Sequence, residues 1–148
     1  MLDVGPDWPT QAFIDGKWCN AASARRFDVH DPATGRVIAS VADCGEAETQ
    51  AAIHAAAAAL AAWSALPADQ RAARLRHWRD LMVEQADDLA RVLSLENGKP
   101  LAEARGEILY GASYLDWFAE EARRVYGEII PAPSQSKRIL VTRKPVGV

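Results

Sequence analysis

Residues 93–131 read LSLENGKPLAEARGEILYGASYLDWFAEEARRVYGEIIP, and this stretch decides the fold. Gly98 can take a positive φ and Pro100 has no N–H to continue a helix, so one helix ends here and another begins. Beyond Pro100, apolar residues recur at Leu101, Ala104, Ile108, Ala112, Leu115, Phe118, Ala122 and Val125. Steps of three and four place them on one stripe of an amphipathic helix. Gly127 is the expected stop, with Arg123 and Arg124 in the last turn against the helix dipole and Pro131 just beyond. An unbroken helix over 101–126 spans roughly 39 Å and needs a large surface to lie on.

Upstream, Leu75, Trp78, Met82, Ala86, Leu89 and Leu93 keep helical spacing over 68–96. A bend is expected at 85–88, where Asp87 and Asp88 suit a new amino terminus. The opposite face, with Arg71, Arg74, Arg79, Glu84 and Asp88, reads as solvated. Pro67 separates this region from an earlier helix that starts near Gly45-Glu46 and runs to about Trp63. Glu48 is placed to reach back to its cap. The stripe of that helix is Ile53, Ala56, Leu60 and Trp63, and the alanine run at 55–59 favours helix and close packing.

Before the helices come two hairpins. Residues 11–14 and 17–19 flank Asp15-Gly16, a two-residue turn whose central positions want positive φ, with Trp18 the expected anchor of a buried face. Residues 27–30 and 36–41 flank a turn through Asp31-Pro32-Ala33-Thr34-Gly35, in which Pro32 presets a dihedral and Asp31 can bond its own backbone. Residues 1–10 read as a loose tail. At the other end, 130–136 has the proline and serine content of a linker, and 138–142 (RILVT) reads as a strand with no tight-turn partner, hence an exposed edge.

With 148 residues, 49% apolar and 25% charged, the chain has the composition of a globular unit with a sizeable core. A net charge of −3 argues against nucleic acid or an acidic membrane surface as partner. Cys19 and Cys44 lie in no CxxC motif and read as free thiols of a reducing compartment. No signal peptide and no membrane span is expected, which points to the cytoplasm. The 9 glycines are scattered, with neither GxGxxG nor GxxxxGK[ST], so no nucleotide site is expected in this chain alone. His30, His54 and His77 fall in three separate elements and read as solvated or packing residues.

The Leu-Glu-Asn-Gly-Lys-Pro element at 95–100, GKPLAEARGEILY at 98–110 and WFAEEARRVYGEIIP at 117–131 resemble the aldehyde dehydrogenase superfamily, most closely its succinate-semialdehyde dehydrogenases. The resemblance extends over about 13–148. The 31–35 turn is similar to the family's Asn-Pro-x-Thr-Gly turn, with Asp31 in place of Asn. It implies an α/β fold, of which this segment is mostly helical with amino-terminal hairpins and one carboxy-terminal strand. By the same resemblance, 11–131 is the first part of a dinucleotide-binding domain, and 132–148 is a linker and a strand of an oligomerisation arm. That strand, at 138–142, implies a homo-oligomer.

Enzymes of this family attack an aldehyde with a cysteine thiolate to form a hemithioacetal. Hydride then passes to NAD or NADP, and a glutamate-activated water hydrolyses the thioester. An asparagine side chain and a backbone N–H stabilise the oxyanion. The motifs for those residues follow the position of Val148, and Cys19 and Cys44 match none of them. Of the two thiols, only Cys44, just ahead of Gly45, has a helix start near enough to lower its pKa. The resemblance therefore implies an amino-terminal segment with no catalytic or cofactor-binding residues and no activity of its own. Its parent would oxidise succinate semialdehyde to succinate. Glutarate semialdehyde or another aldehyde is the alternative substrate, and a non-catalytic module that binds through its edge strand is the alternative role.

Two further sites are implied by resemblance. Carbonyls before the 31–35 turn and an acid before Gly-Lys-Pro hold a monovalent cation in some members, which corresponds to Val29, His30 and Glu96. Two positions one turn apart on the long helix line the aldehyde's entry tunnel, corresponding to Glu107 and Gly111. A glycine within a helix costs roughly 1 kcal/mol against alanine, so Gly111 marks close approach by either a neighbouring helix or a ligand.

Overall fold

The computed structural model describes residues 8–148. The tail expected over 1–10 lies outside the described residues as far as residue 7. Thr10 is engaged: its carbonyl accepts from the Ala42 N–H at 2.9 Å, and its hydroxyl accepts from Arg26 at 2.8 Å.

Strands β1 (Ala12–Ile14) and β2 (Lys17–Cys19) form the first hairpin, turned by Asp15 and Gly16 at φ 50° and 74°. Trp18 does not anchor a buried face. It is 53% exposed and makes a tilted ring contact with Phe13 across the strand pair at 4.9 Å. A two-stranded ribbon has no second layer of its own, so its aromatic pair stays on the surface. Strands β3 (Arg26–His30) and β4 (Val37–Ala42) pair antiparallel with a register shift at Val29/His30. Their turn is built on Asp31, as expected.

Helix α1 (Glu46–Ala65) follows. Its cap is the one read from the sequence: the Gly45 N–H donates to Glu48 Oε2 at 2.7 Å. The other oxygen, Oε1, accepts the Ala22 N–H at 2.9 Å, so one carboxylate ties the loop after β2 to the start of the helix. The stripe expected to be covered is largely open, with Leu60 half-buried. No residue of α1 is buried, and Ile53 and Trp63 are 48% and 40% exposed.

Helices α2 (Ala68–Glu84) and α3 (Ala86–Asn97) are separated at Gln85, where the bend was expected. Helix α4 (Leu101–Glu121) packs across both. Its length is about 32 Å rather than 39 Å, because a 3-10 turn at Ala122–Arg124 tightens the end. The seam is made of small residues: Ala72, Ala90, Ala104 and Ala119 are 0% exposed and Ala112 is 2% exposed. Alanines at 104, 112 and 119 return to one line of the helix after about two turns each, which lets backbones approach closely. Leu101 and Phe118, read as part of the stripe, sit on its flank at 40% and 57% exposure, while Ala119 takes the seam position.

Ion pairs sew the seam's borders. Arg76 meets Glu120, Arg79 lies 3.7 Å from Asp116, Arg123 lies 2.7 Å from Asp69, and Arg105 lies 2.7 Å from Asp87. The α2 face read as solvated is therefore partly engaged: half-buried Arg79 reaches α4, and Arg71 donates to the Leu66 carbonyl.

The strand at 138–142 is not alone. Strand β5 (Glu128–Ile130) pairs antiparallel with β6 (Ile139–Val141), in the register Glu128↔Val141, Ile129↔Leu140 and Ile130↔Ile139. A tight turn is not required, because the entropic cost of closing a loop grows only slowly with its length. Gly127 serves this ribbon and not a helix cap. Its φ is not positive, and a Cβ there would collide with the Val141 carbonyl oxygen. The ribbon leaves Ile129 and Leu140 at 83% and 69% exposure.

Candidate functional site

The two motifs that carry the family resemblance meet in space. Helix α3 ends on Gly98 in the left-handed region, φ 82°, with its N–H donating to the Ser94 carbonyl at 2.8 Å. The Ser94 hydroxyl, itself buried, donates to the Lys99 carbonyl at 2.7 Å and fixes the loop between α3 and α4. A Cβ on Gly98 would stand 2.9 Å from Pro32 Cγ. The absence of a side chain at Gly98 thus lets the 31–35 turn seat against the Gly-Lys-Pro loop.

That turn is held from within. Asp31 Oδ1 accepts the Ala33 N–H at 2.8 Å, Oδ2 accepts the Thr34 hydroxyl at 2.7 Å, and the Asp31 carbonyl accepts the Gly35 N–H at 2.7 Å. The Thr34 hydroxyl first, and the Ala33 N–H second, hold the Asp31 carboxyl below its ordinary value. Among the described residues, Asp31 and, across the junction, Ser94 are the two buried polar ones. The sequence pointed to Asp31 through its turn, whereas nothing in the pattern marked Ser94.

The cation candidates lie around this junction. Val29 is half-buried at the end of β3, His30 is exposed with Nδ1 3.3 Å from the Gly35 carbonyl oxygen, and Glu96 is exposed at the end of α3. The Pro32–Gly98 contact brings their two segments side by side. Among the described residues, no group of three or more His, Cys, Asp or Glu side chains could hold a metal ion.

The tunnel candidates lie farther along α4. Glu107 is ion-paired with Lys99, a partnership that the sequence did not suggest, because a separation of eight residues across a helix start is not a helical pairing distance. Gly111 faces α2, and a Cβ there would be 3.8 Å from Met82 Cε, an ordinary contact. Packing in this chain therefore does not demand glycine at 111. On the next flank Tyr110 and Tyr114 meet edge to face at 5.0 Å, with their hydroxyls 2.5 Å apart. With Ser113, Trp117 and Phe118 they line an open hollow of about 320 Å³. This aromatic cluster went unread because all of it but Phe118 lies off the apolar stripe.

Both thiols are free and half-buried, and Cys19 Sγ is 3.4 Å from the Ala12 carbonyl oxygen. The start of α1 does not activate Cys44. Burial pushes its thiol up, and the neighbouring Glu48, Cys19 and Asp43 add to the shift. A thiol so placed is a poor nucleophile.

Three two-stranded ribbons and a helical layer closed by an alanine seam place the chain in the α/β class. The chain belongs to the aldehyde dehydrogenase family, whose sequence profile matches residues 18–148. It is 54% identical over 138 residues to glutarate-semialdehyde dehydrogenase of Pseudomonas aeruginosa, covering 93% of this chain and 29% of that protein. It is 52% identical over 138 residues to the NADP(+) succinate-semialdehyde dehydrogenase of Escherichia coli, with the same coverage of 93% and 29%. The crystal structure of succinate-semialdehyde dehydrogenase from Burkholderia pseudomallei superposes with a TM-score of 0.90 at 52% identity, over 93% of this chain and 28% of that one. The fold is thus a segment of the α/β aldehyde dehydrogenase fold, and the chain spans less than a third of these relatives' length.

Proposed function

We propose that these residues form the amino-terminal segment of an NAD- or NADP-dependent aldehyde dehydrogenase that oxidises succinate semialdehyde to succinate, with glutarate semialdehyde as the near alternative. The observation that carries this reading is identity above one half to semialdehyde dehydrogenases over nearly the whole chain. In this reading 11–131 opens the dinucleotide-binding domain and 132–148 is the linker and strand of an oligomerisation arm. The β5–β6 ribbon straddles that boundary, and its unpaired β6 edge would meet a second copy. Among the described residues no helix is long and apolar enough to cross a membrane, and the proposed compartment is the cytoplasm.

The residues present do not fit a dinucleotide pyrophosphate. The start of α1 is closed by its own Glu48 carboxylate, with Asp43 and Glu46 beside it, so a phosphate there would meet anions. Helices α2 and α4 carry an acid in the first turn, Asp69 and Glu103, which likewise opposes a phosphate. The cofactor and the catalytic thiolate are assigned to sequence beyond Val148 in the parent. What this segment contributes is one wall of the aldehyde's path, through Glu107 and Gly111, and a monovalent cation site at the Val29 and His30 carbonyls and Glu96. The place of Gly111 in that wall is supported by the ordinary 3.8 Å spacing to Met82, which leaves packing as an insufficient reason for glycine.

Purified residues 1–148, mixed with succinate semialdehyde and either cofactor, are expected to give no rise in reduced-cofactor absorbance. The same segment, exchanged for its counterpart in the Pseudomonas aeruginosa relative, is expected to give an enzyme that turns over both semialdehydes. Turnover by the short chain, or none by the chimaera, overturns the reading.

A further inference from the structure

We infer that Lys99 is a charge clamp on Glu107, which keeps an uncompensated anion out of the path of a substrate that carries its own carboxylate. The inference rests on the placement of Glu107 in the substrate path and adds a determinant of which aldehydes pass.

The geometry is specific about Lys99. Its backbone is held on both sides: the buried Ser94 hydroxyl donates to its carbonyl, and the preceding Gly98 is pressed against Pro32. Its side chain is 24% exposed, so the stem is largely covered and the ammonium is delivered to Glu107 Oε2. Glu107 is 53% exposed and stands one turn before Gly111. An exposed pair of this kind adds little to stability. Its consequence is the field it sets. With the clamp, the flank of α4 near 107 is neutral to an approaching anion; without it, one negative charge stands there. Two like charges within a Debye length of about 8 Å repel appreciably, and a path lined by protein screens them less than water does. A semialdehyde has an anion at its far end, whereas an unsubstituted aldehyde of equal length has none. The clamp therefore discriminates in favour of the charged substrate by removing a repulsion rather than by adding a contact.

The test uses the chimaera described above and the ratio of kcat/KM for succinate semialdehyde to that for butanal. Lys99→Met is expected to lower that ratio about tenfold, through KM and not kcat, with the loss shrinking as salt is raised. Lys99→Arg keeps the ratio, and the Lys99→Met/Glu107→Gln double variant restores it. A ratio that stays constant in Lys99→Met, or an equal loss on both aldehydes that the double variant does not repair, overturns the clamp and leaves the pair as a brace of the α3–α4 junction. If the unsubstituted chimaera has no turnover, the enzymatic reading fails and takes the clamp with it. An active chimaera with an unmoved ratio removes the clamp alone.

Discussion

Helix α1 and the seam of α4 against α2 and α3 are both rich in alanine, yet one has no buried residue and the other holds nearly the whole core. Ala90, Ala104 and Ala119 are 0% exposed, while the run at 55–59 of α1 lies mostly in the open. Composition gives both the same helix-forming tendency. Burial differs because α4 meets two antiparallel neighbours at a distance that only small side chains allow, whereas the principal neighbour of α1 is the three-residue strand β1. Alanine in a helix thus signals close packing only where a partner exists to pack against. Large side chains follow the same division. Among the described residues none is fully buried, and Trp117, Tyr110 and Trp78 are 66%, 63% and 57% exposed.

The sharpest way to break this comparison is to enlarge an alanine on each side of it. Ala112→Leu is expected to destabilise the chain by about 1–3 kcal/mol, while Ala57→Leu in α1 stays within about 0.5 kcal/mol, as read from urea denaturation midpoints. Equal effects would mean that the seam is no more closely packed than α1.

Gly98, the cap after α3, and Gly106, within α4, give smaller single effects of opposite sign. Gly98→Ala faces both a positive φ and Pro32, and is expected to cost about 1–2 kcal/mol. Gly106→Ala, with nothing within 4 Å of its added Cβ, is expected to stabilise α4 by about 0.5–1 kcal/mol. Thermal midpoints moving in the same direction would contradict the junction geometry.

The smallest effect sharpens what α1 does have, its cap. The N–H groups of Ala22 first, and of Gly45 second, hold Glu48 below the ordinary carboxylate range. A depressed carboxyl contributes stability above its unfolded pKa and loses it as pH falls through the lower, folded value. Acid titration of the Gly45 and Ala22 amide resonances should therefore report release of the cap on the acid side of the usual carboxylate range. Glu48→Gln is expected to flatten that response. An unaltered titration in the variant would show that Glu48 is not the group responsible.

Much of this architecture was legible in the residues. Asp15-Gly16, the Asp31–Gly35 turn, the Glu48 cap, the break at Gln85 and the stop at Gly98 rest on backbone chemistry within a few positions, and each stands where it was read. The pairing of 128–130 with 139–141 was not legible, because a search for tight turns overlooks a long loop. Trp18 and the α1 stripe were misread for another reason: periodicity names the face that would be buried but cannot supply what buries it. At the candidate site, Glu107 and Lys99 were each visible, and their pairing was not. It depends on the angle at which α4 leaves the loop that Ser94 pins.

By itself the sequence determined where helices start and stop, which turns need glycine or aspartate, and, through its motifs, membership of the aldehyde dehydrogenase family. Those are local facts, set by dihedral preferences and by hydrogen bonds between near neighbours. The tertiary structure decided which alanines are core, which strand β6 joins, and that Gly98 and Pro32 bring two distant motifs into contact. These depend on distances between segments far apart in the chain, and packing all of them at once sets those distances.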